Sequence, residues 1–344
     1  MRFFGSKGSG IRMSVFGKTD VGQTREHNED TFLVANLTTR DVSLQPDVRE
    51  HEVGPKGSLI IVADGMGGAA AGEVASKLGS ETIYEHLAKS WANDSENTPQ
   101  QFAYRLKEAV EEANSRIQSY AKDHPEMRGM GTTTTAVGVL ADQLYLTQVG
   151  DSRAYLVRDG EGIQLTKDQS LMQRLVDAGE ISEEEAEKSD RRNIILQALG
   201  PDPKVRVDLT TQQVRRGDAL VLCSDGLSGQ VSREEIAERV ADSDKNLADI
   251  CTDLIDLANE RGGPDNITVV IARFSGEGLA SPGGDDSVGH QVYPLLDPES
   301  TTEPVPVYKG SNPPVPENKS RMVIAGAAAA VIIALALFIA VGGI

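Results

Sequence analysis

The sequence predicts an α+β domain in which sheet packs on sheet and helices lie outside. Three observations carry that expectation. Apolar runs of strand length, several of them rich in β-branched residues and bounded by turn signals, recur at 58–63, 134–140, 144–149, 154–157, 219–223 and 267–274. The runs between 132 and 158 follow one another too closely for crossover helices, so that part is antiparallel. Helical patterns gather on either side of these hairpins, at 71–91 and 99–122 before them and at 247–261 ahead of the last strand.

The segments follow in chain order. The start, MRFFGSKGSGIR, carries cations but no apolar run long enough for a signal peptide. Residues 12–275 read as one folded domain, long enough to bury a core. Within it, residues 168–200 break the β pattern with short, charge-rich helical pieces and read as a flap. Residues 276–320 hold eight of the 15 prolines among glycine, serine and acid, which predicts a disordered linker acting as a spacer.

Residues 322–344, MVIAGAAAAVIIALALFIAVGGI, contain no charge. As a helix they would reach about 34 Å against a hydrocarbon core of about 30 Å, so a C-terminal transmembrane helix is expected. Lys319 and Arg321 precede it and no cation follows. That asymmetry predicts a single-pass protein of the cell membrane with its N-terminal domain cytoplasmic. No repeat of solenoid length is present.

Composition narrows the partners. With 34 Lys+Arg against 52 Asp+Glu the net charge is −18, which argues against nucleic acid, because a phosphate backbone needs stripes of cations. Cys223 and Cys251 make neither a disulfide framework nor a zinc knuckle and suit a reducing compartment.

The acids fall at informative places. The apolar runs ending near Ala63, Val149 and Cys223 lead into Asp64, Asp151 and Asp225, and Asp265 immediately precedes the run that begins at Ile267. One Asp-Gly pair is ordinary turn chemistry. Turns explain four such acids less well. If these ends converge, mutual repulsion raises their pKa values unless divalent cations neutralise them. Oxygen ligands without His or Cys favour Mg²⁺ or Mn²⁺ over zinc. The stretch from Gly65 to Ala70 also fits a dinucleotide-binding pattern. That pattern wants an acid about 20 residues on, at a strand end; Glu85 falls inside the helix expected at 71–91, and the pattern is discounted.

Six motifs stand in order. They are Thr24-Arg25-Glu26-His27-Asn28-Glu29-Asp30, Ala63-Asp64-Gly65-Met66-Gly67-Gly68, Met130-Gly131-Thr132-Thr133, Val149-Gly150-Asp151-Ser152-Arg153, Cys223-Ser224-Asp225-Gly226-Leu227 and Gly263-Pro264-Asp265-Asn266-Ile267-Thr268. On these, residues 12–275 resemble the bacterial branch of the metal-dependent Ser/Thr protein phosphatases, the protein phosphatase 2C-like family. The resemblance implies a central antiparallel β-sandwich flanked by helices on both outer faces, in α-β-β-α layers.

It also implies a site with two Mn²⁺ or Mg²⁺ ions and a weaker third. Carried over by position, Asp64 bridges two ions and Gly65 offers its carbonyl to one, while Asp225 and Asp265 ligate the other. Glu29 and Asp30 hold metal-bound waters or a ligand position, Asp151 serves the third ion with Asn193 as companion, and Arg25 grips the substrate phosphate. Catalysis on that reading rests on Arg25, Asp64 and Asp225, with a metal-bridged hydroxide attacking phosphorus in line. Cys223 lies in an apolar strand and reads as an inert core residue. Met66 stands where eukaryotic relatives have a proposed proton donor, and the flap segments 167–170 and 189–193 depart from the family pattern. None of the histidines falls on a family ligand position, and they read as structural or solvated.

The expected function is a membrane-tethered phosphatase acting on phosphorylated Ser/Thr proteins and opposing a Ser/Thr protein kinase. One alternative is a catalytically silent phosphoprotein-binding membrane scaffold, against which the intact Asp64, Asp225, Asp265 and Arg25 stand. Another is a phosphatase dedicated to a single anti-sigma-antagonist-type regulator. A linker beginning near 275 further implies that a chain ending near Gly276 keeps its activity.

Overall fold

The structure, a computed structural model, describes residues 9–295 apart from 68–69, 96 and 284–285. The strands are β1 (Arg12–Asp20), β2 (Thr31–Asn36), β3 (Asp41–Ser43), β4 (Arg49–Glu52), β5 (Ser58–Ala63), β6 (Gly65–Met66), β7 (Gly131–Thr132), β8 (Thr134–Leu140), β9 (Gln143–Val149), β10 (Arg153–Arg158), β11 (Glu161–Gln164), β12 (Asp208–Gln213), β13 (Ala219–Cys223) and β14 (Ile267–Ser275). The helices are α1 (Ala71–Lys89), α2 (Pro99–Asp123), α3 (Leu171–Asp177), α4 (Glu183–Glu187), α5 (Asp225–Ser228), α6 (Arg233–Ala241) and α7 (Leu247–Glu260).

Two six-stranded sheets form, ordered β11-β10-β13-β14-β1-β4 and β12-β9-β8-β5-β2-β3, and their strands pair antiparallel. Strand alternation explains the layers. Ile60 and Val62 of β5 point between the sheets, where they meet Val15, Leu156, Leu220, Leu222 and Val270 of the other sheet. Leu59 and Ile61 point the other way, onto Ile83 and Leu87 of α1 and Leu106 and Val110 of α2. On the opposite outer face Val221 and Ile271 meet Ile236 and Val240 of α6 and Ile250 and Leu254 of α7. Strands covered on both faces need apolar residues on both, which is why the runs at β5, β8 and β13 are continuous and not alternating. Each such side chain contributes about 1.5–3 kcal/mol by leaving water.

The helix starts are written locally. Thr98 accepts from the Gln101 amide ahead of Pro99 in α2, and Ser232 with Glu235 closes a reciprocal capping box on α6. Strands β1–β4, β11 and β12 lie outside the expected apolar runs. β12 (DLTTQQ) buries Thr210 and Gln212 through hydrogen bonds and contacts that its polar text does not advertise. Residues 168–200 hold the two short helices α3 and α4, as the charge-rich text implied.

The domain boundary expected at 275 needs correction. Leu279 is buried in the layer between the sheets, and Arg215 donates to both carboxylate oxygens of Asp286 at 2.7 and 2.6 Å. The Thr211 amide donates to the Gln291 carbonyl at 2.8 Å, and the Tyr293 amide to the Leu209 carbonyl at 2.9 Å. Tyr293 meets Tyr145 edge-on with ring centroids 5.3 Å apart. Residues 276–283 and 286–295 thus form a strap on the sandwich, and its part near 291–293 pairs with β12, satisfying a sheet edge that would otherwise present unpaired backbone. Sparse anchors among Pro, Gly and Ser suffice, because each has a seat on the sandwich. The rest of the expected linker, 296–320, and the apolar segment 322–344 lie outside the described residues. Among the described residues no helix is long and apolar enough to cross a membrane.

Candidate active site

The strand ends that carry the acids do converge. Asp64, Gly65, Asp151, Asp225 and Asp265 line one cavity of about 500 Å³ together with Arg25 and Glu29. Met66, Thr133, Asn193 and Ile195 complete its wall, and the exposed His27 sits at its rim. Asp30 stands behind this lining, with only 7% of its surface exposed.

Close backbone contacts set the geometry. A Cβ on Gly65 would come within 2.2 Å of the Gly72 carbonyl and 2.5 Å of the Glu29 carbonyl, so the turn after β5 admits only glycine. That turn brings the start of α1 against the Glu29 loop. The Asp64 amide donates to Thr133 Oγ1 at 3.0 Å, and the Asp64 carbonyl accepts from the Thr133 amide at 2.8 Å. Asp225 opens the short helix α5 directly after β13.

Two polar networks hold the remaining acids. Asn266 accepts from the Glu29 amide at 2.8 Å and donates to the carbonyls of Val21 and His27 at 2.9 Å, so it pins both ends of the loop that carries Arg25. Ser224 and Thr268 each donate a hydroxyl to Asp30 Oδ2 at 2.7 Å. These positioning residues were not singled out from the sequence. All three fall inside the quoted motifs, but their partners lie far along the chain, as Ser224 and Asp30 do at 194 residues apart.

Electrostatics follow from the crowding. Burial, then repulsion from Asp225, pushes the Asp151 carboxyl up to about 8. Burial also lifts Asp30 to about 7 against the pull of the Thr268 and Ser224 hydroxyls. Asp64 is raised well above its ordinary value by burial and then by Asp30 and Asp225, and Asp225 is raised by burial and by Asp265. Glu29 is raised by burial, with Arg25 opposing. Arg25, 49% exposed, pairs with Asp265 at 2.8 Å.

Such a cluster suits hard cations. The buried oxygens Glu29 Oε1, Asp30 Oδ1 and Asp225 Oδ1 have no hydrogen-bond partner, and the acids that line the cavity offer oxygen ligands. Among the described residues no three acidic, His or Cys side chains are gathered tightly enough to hold an ion as they stand. Asp265 is turned to Arg25. The unpartnered oxygens and the upward shifts of Glu29, Asp30, Asp64, Asp151 and Asp225 decide for a fit, since both state that positive charge is wanted there. Cys223 takes no part; burial pushes its thiol up to about 12, which leaves it an inert core residue.

An antiparallel sandwich between helical layers thus carries a carboxylate cavity at one end of its strands. The chain matches the family model for protein phosphatase 2C over residues 40–268. It is 43% identical over 242 residues to the serine/threonine protein phosphatase PstP of Mycobacterium tuberculosis, covering 70% of this chain and 45% of that protein. The match to the serine/threonine phosphatase stp of Listeria innocua is 37% over 255 residues, covering 74% of this chain and 93% of that one. The solved catalytic domain of PstP in complex with two manganese ions superposes with a TM-score of 0.62 at 37% identity, covering 77% of this chain and 99% of that one. The chain therefore belongs to the protein phosphatase 2C family. Its match spans less than half the length of the mycobacterial relative.

Proposed function

We propose that this chain is a metal-dependent protein phosphatase that hydrolyses phosphoserine and phosphothreonine in proteins. The observation that carries the reading is the meeting of Asp64, Asp151, Asp225, Asp265 and Glu29 with Arg25 in one cavity. Relatives named as Ser/Thr phosphatases support the substrate class. Asp64, the Gly65 carbonyl, Asp225 and Asp265 would hold two Mn²⁺ or Mg²⁺ ions, with Glu29 and Asp30 behind them. Asp151 and Asn193 would hold a weaker third. When bound, such ions ease deprotonation of the attacking water and take up charge on the phosphoryl oxygens.

The protein's own residues supply the rest. Arg25 offers a planar fork of donors from a loop that Asn266 pins, so it can leave Asp265 and meet a phosphate without refolding the loop. Met66 lines the cavity but cannot donate a proton, so the leaving oxygen takes its proton from another group or from water. Phosphate release from a phosphothreonine peptide tests the reading. Release with Mn²⁺ that stops on chelation is expected, and no release at any Mn²⁺ concentration would overturn it.

The reading extends to the cell. The uncharged segment 322–344 and the cations Lys319 and Arg321 support a cytoplasmic catalytic domain held at a membrane, facing the products of a Ser/Thr kinase. The silent-scaffold alternative has no observation in its favour. Fractionation of cells carrying the full chain, or one stopped at residue 320, tests the anchor; recovery of both in the same soluble fraction refutes it.

A further inference from the structure

A second cavity of about 600 Å³ opens beside the first and shares Asp151, Asn193 and Asp225 with it. One wall is the flap, through Met172 and Val176 of α3; the other is the first turn of α6. Five cations line this groove, and four are committed. Arg153 pairs with Asp168 at 2.7 Å, Lys167 with Asp177 at 2.7 Å, Arg233 with Glu234 at 2.9 Å and Arg261 with Glu235 at 2.5 Å. The N-terminus of α6 is also spoken for, by its capping box.

Arg192 is the exception. Its side chain is exposed, lines the groove next to the shared Asn193, and makes no hydrogen bond or ion pair among the described residues. Arg191 beside it is exposed and equally unpaired among them. On a chain with net charge −18, an anionic peptide meets repulsion over most of the surface. Acids line the groove too, Glu183, Asp151 and Asp225 among them, and Arg192 is its one uncommitted positive charge among the described residues, beside the Asn193 that both cavities share.

We propose that the groove takes the stretch of substrate chain next to the phosphorylated residue. There Arg192, seconded by Arg191, reads a second anionic group, either an acidic side chain or another phosphate. The inference rests on the phosphatase reading above and adds a specificity-determining residue to it. Because the arginines are exposed, the discrimination is modest and fades with salt.

The test compares kcat/KM for peptides of one sequence carrying a single phosphothreonine. One has neutral flanks, one has glutamate a few residues away on either side, and one has a second phosphothreonine there. The wild-type chain is expected to prefer the anionic peptides by about three- to tenfold at low salt. Arg192→Glu is expected to abolish or invert that ratio, whereas Arg116→Glu, exposed on α2 and lining neither cavity, keeps it. A preference for both anionic peptides identifies a general anion reader; a preference for the doubly phosphorylated one alone identifies a phosphate reader. Either supports the proposal. Equal rates on all peptides, or a ratio unmoved by Arg192→Glu, overturn it while leaving the phosphatase reading intact. Failure to release phosphate from any peptide overturns the phosphatase reading itself.

Discussion

Arg25 donates from Nη2 to Asp265 Oδ2 at 2.8 Å, joining the residue proposed to grip phosphate to one proposed to ligate metal. The two lie 240 residues apart in sequence and meet because Asn266, next to Asp265, holds the Arg25 loop at both ends. Charge on either partner therefore bears on the other.

For Arg25 the consequence is kinetic. If the guanidinium leaves Asp265 to bind phosphate before and during the reaction, Arg25→Ala raises KM for a phosphopeptide at least as much as it lowers kcat. Steady-state kinetics at saturating Mn²⁺ check this, and an unchanged KM contradicts it.

Asp64→Asn and Asp225→Asn remove charge from the centre of the cavity without changing volume. Each is expected to lower kcat by about two or more orders of magnitude with the fold intact by circular dichroism. Near-normal turnover in either variant contradicts the assignment of the carboxylate set.

The raised carboxyl groups fix a pH dependence. Asp30 titrates at about 7 and Asp151 at about 8, against an ordinary 3.8, so the folded protein holds protons that the unfolded chain has lost. In metal-free protein their contribution to stability is full below about pH 4 and is lost as pH rises through about 7 and 8. Metal-free Tm is therefore expected to fall between about pH 5 and 8, and the gain in Tm from Mn²⁺ to grow over the same window. Differential scanning fluorimetry with and without chelator reads both trends; a Mn²⁺ increment that shrinks with pH contradicts them.

The strap makes a stability prediction that replaces the expected cut at 276. Leu279→Ala, in the layer between the sheets, costs about 2–5 kcal/mol. A chain ending at residue 275 loses Leu279, the Arg215–Asp286 pair and the Tyr293 contact together, and unfolds at lower urea than one ending at 295. Equal midpoints for the two chains return residues 276–295 to the linker.

What could be read in advance follows a physical line. β5, β8 and β13 are buried on both faces, so their apolar runs are continuous, and the acids that follow β5, β9 and β13 stood out against that background. Polar elements did not announce themselves. β12 buries Thr210 and Gln212 through partners that only the fold supplies, and the strap is held by a few anchors in a Pro- and Gly-rich stretch. Asn266, Ser224 and Thr268 position the site through bonds to residues remote in sequence, so no local pattern reveals their task. α6 did carry a local signal, the Ser232–Glu235 capping box, ahead of a short amphipathic run.

The central claim is that the carboxylate cavity is a cation site. Calorimetric titration of Mn²⁺ into the chelator-treated full chain tests it most directly, beside the same titration of Asp64→Asn. The account predicts more than one Mn²⁺ bound per wild-type chain and a marked loss of binding in the variant. No Mn²⁺ binding by the wild type, or undiminished binding by Asp64→Asn, would contradict it.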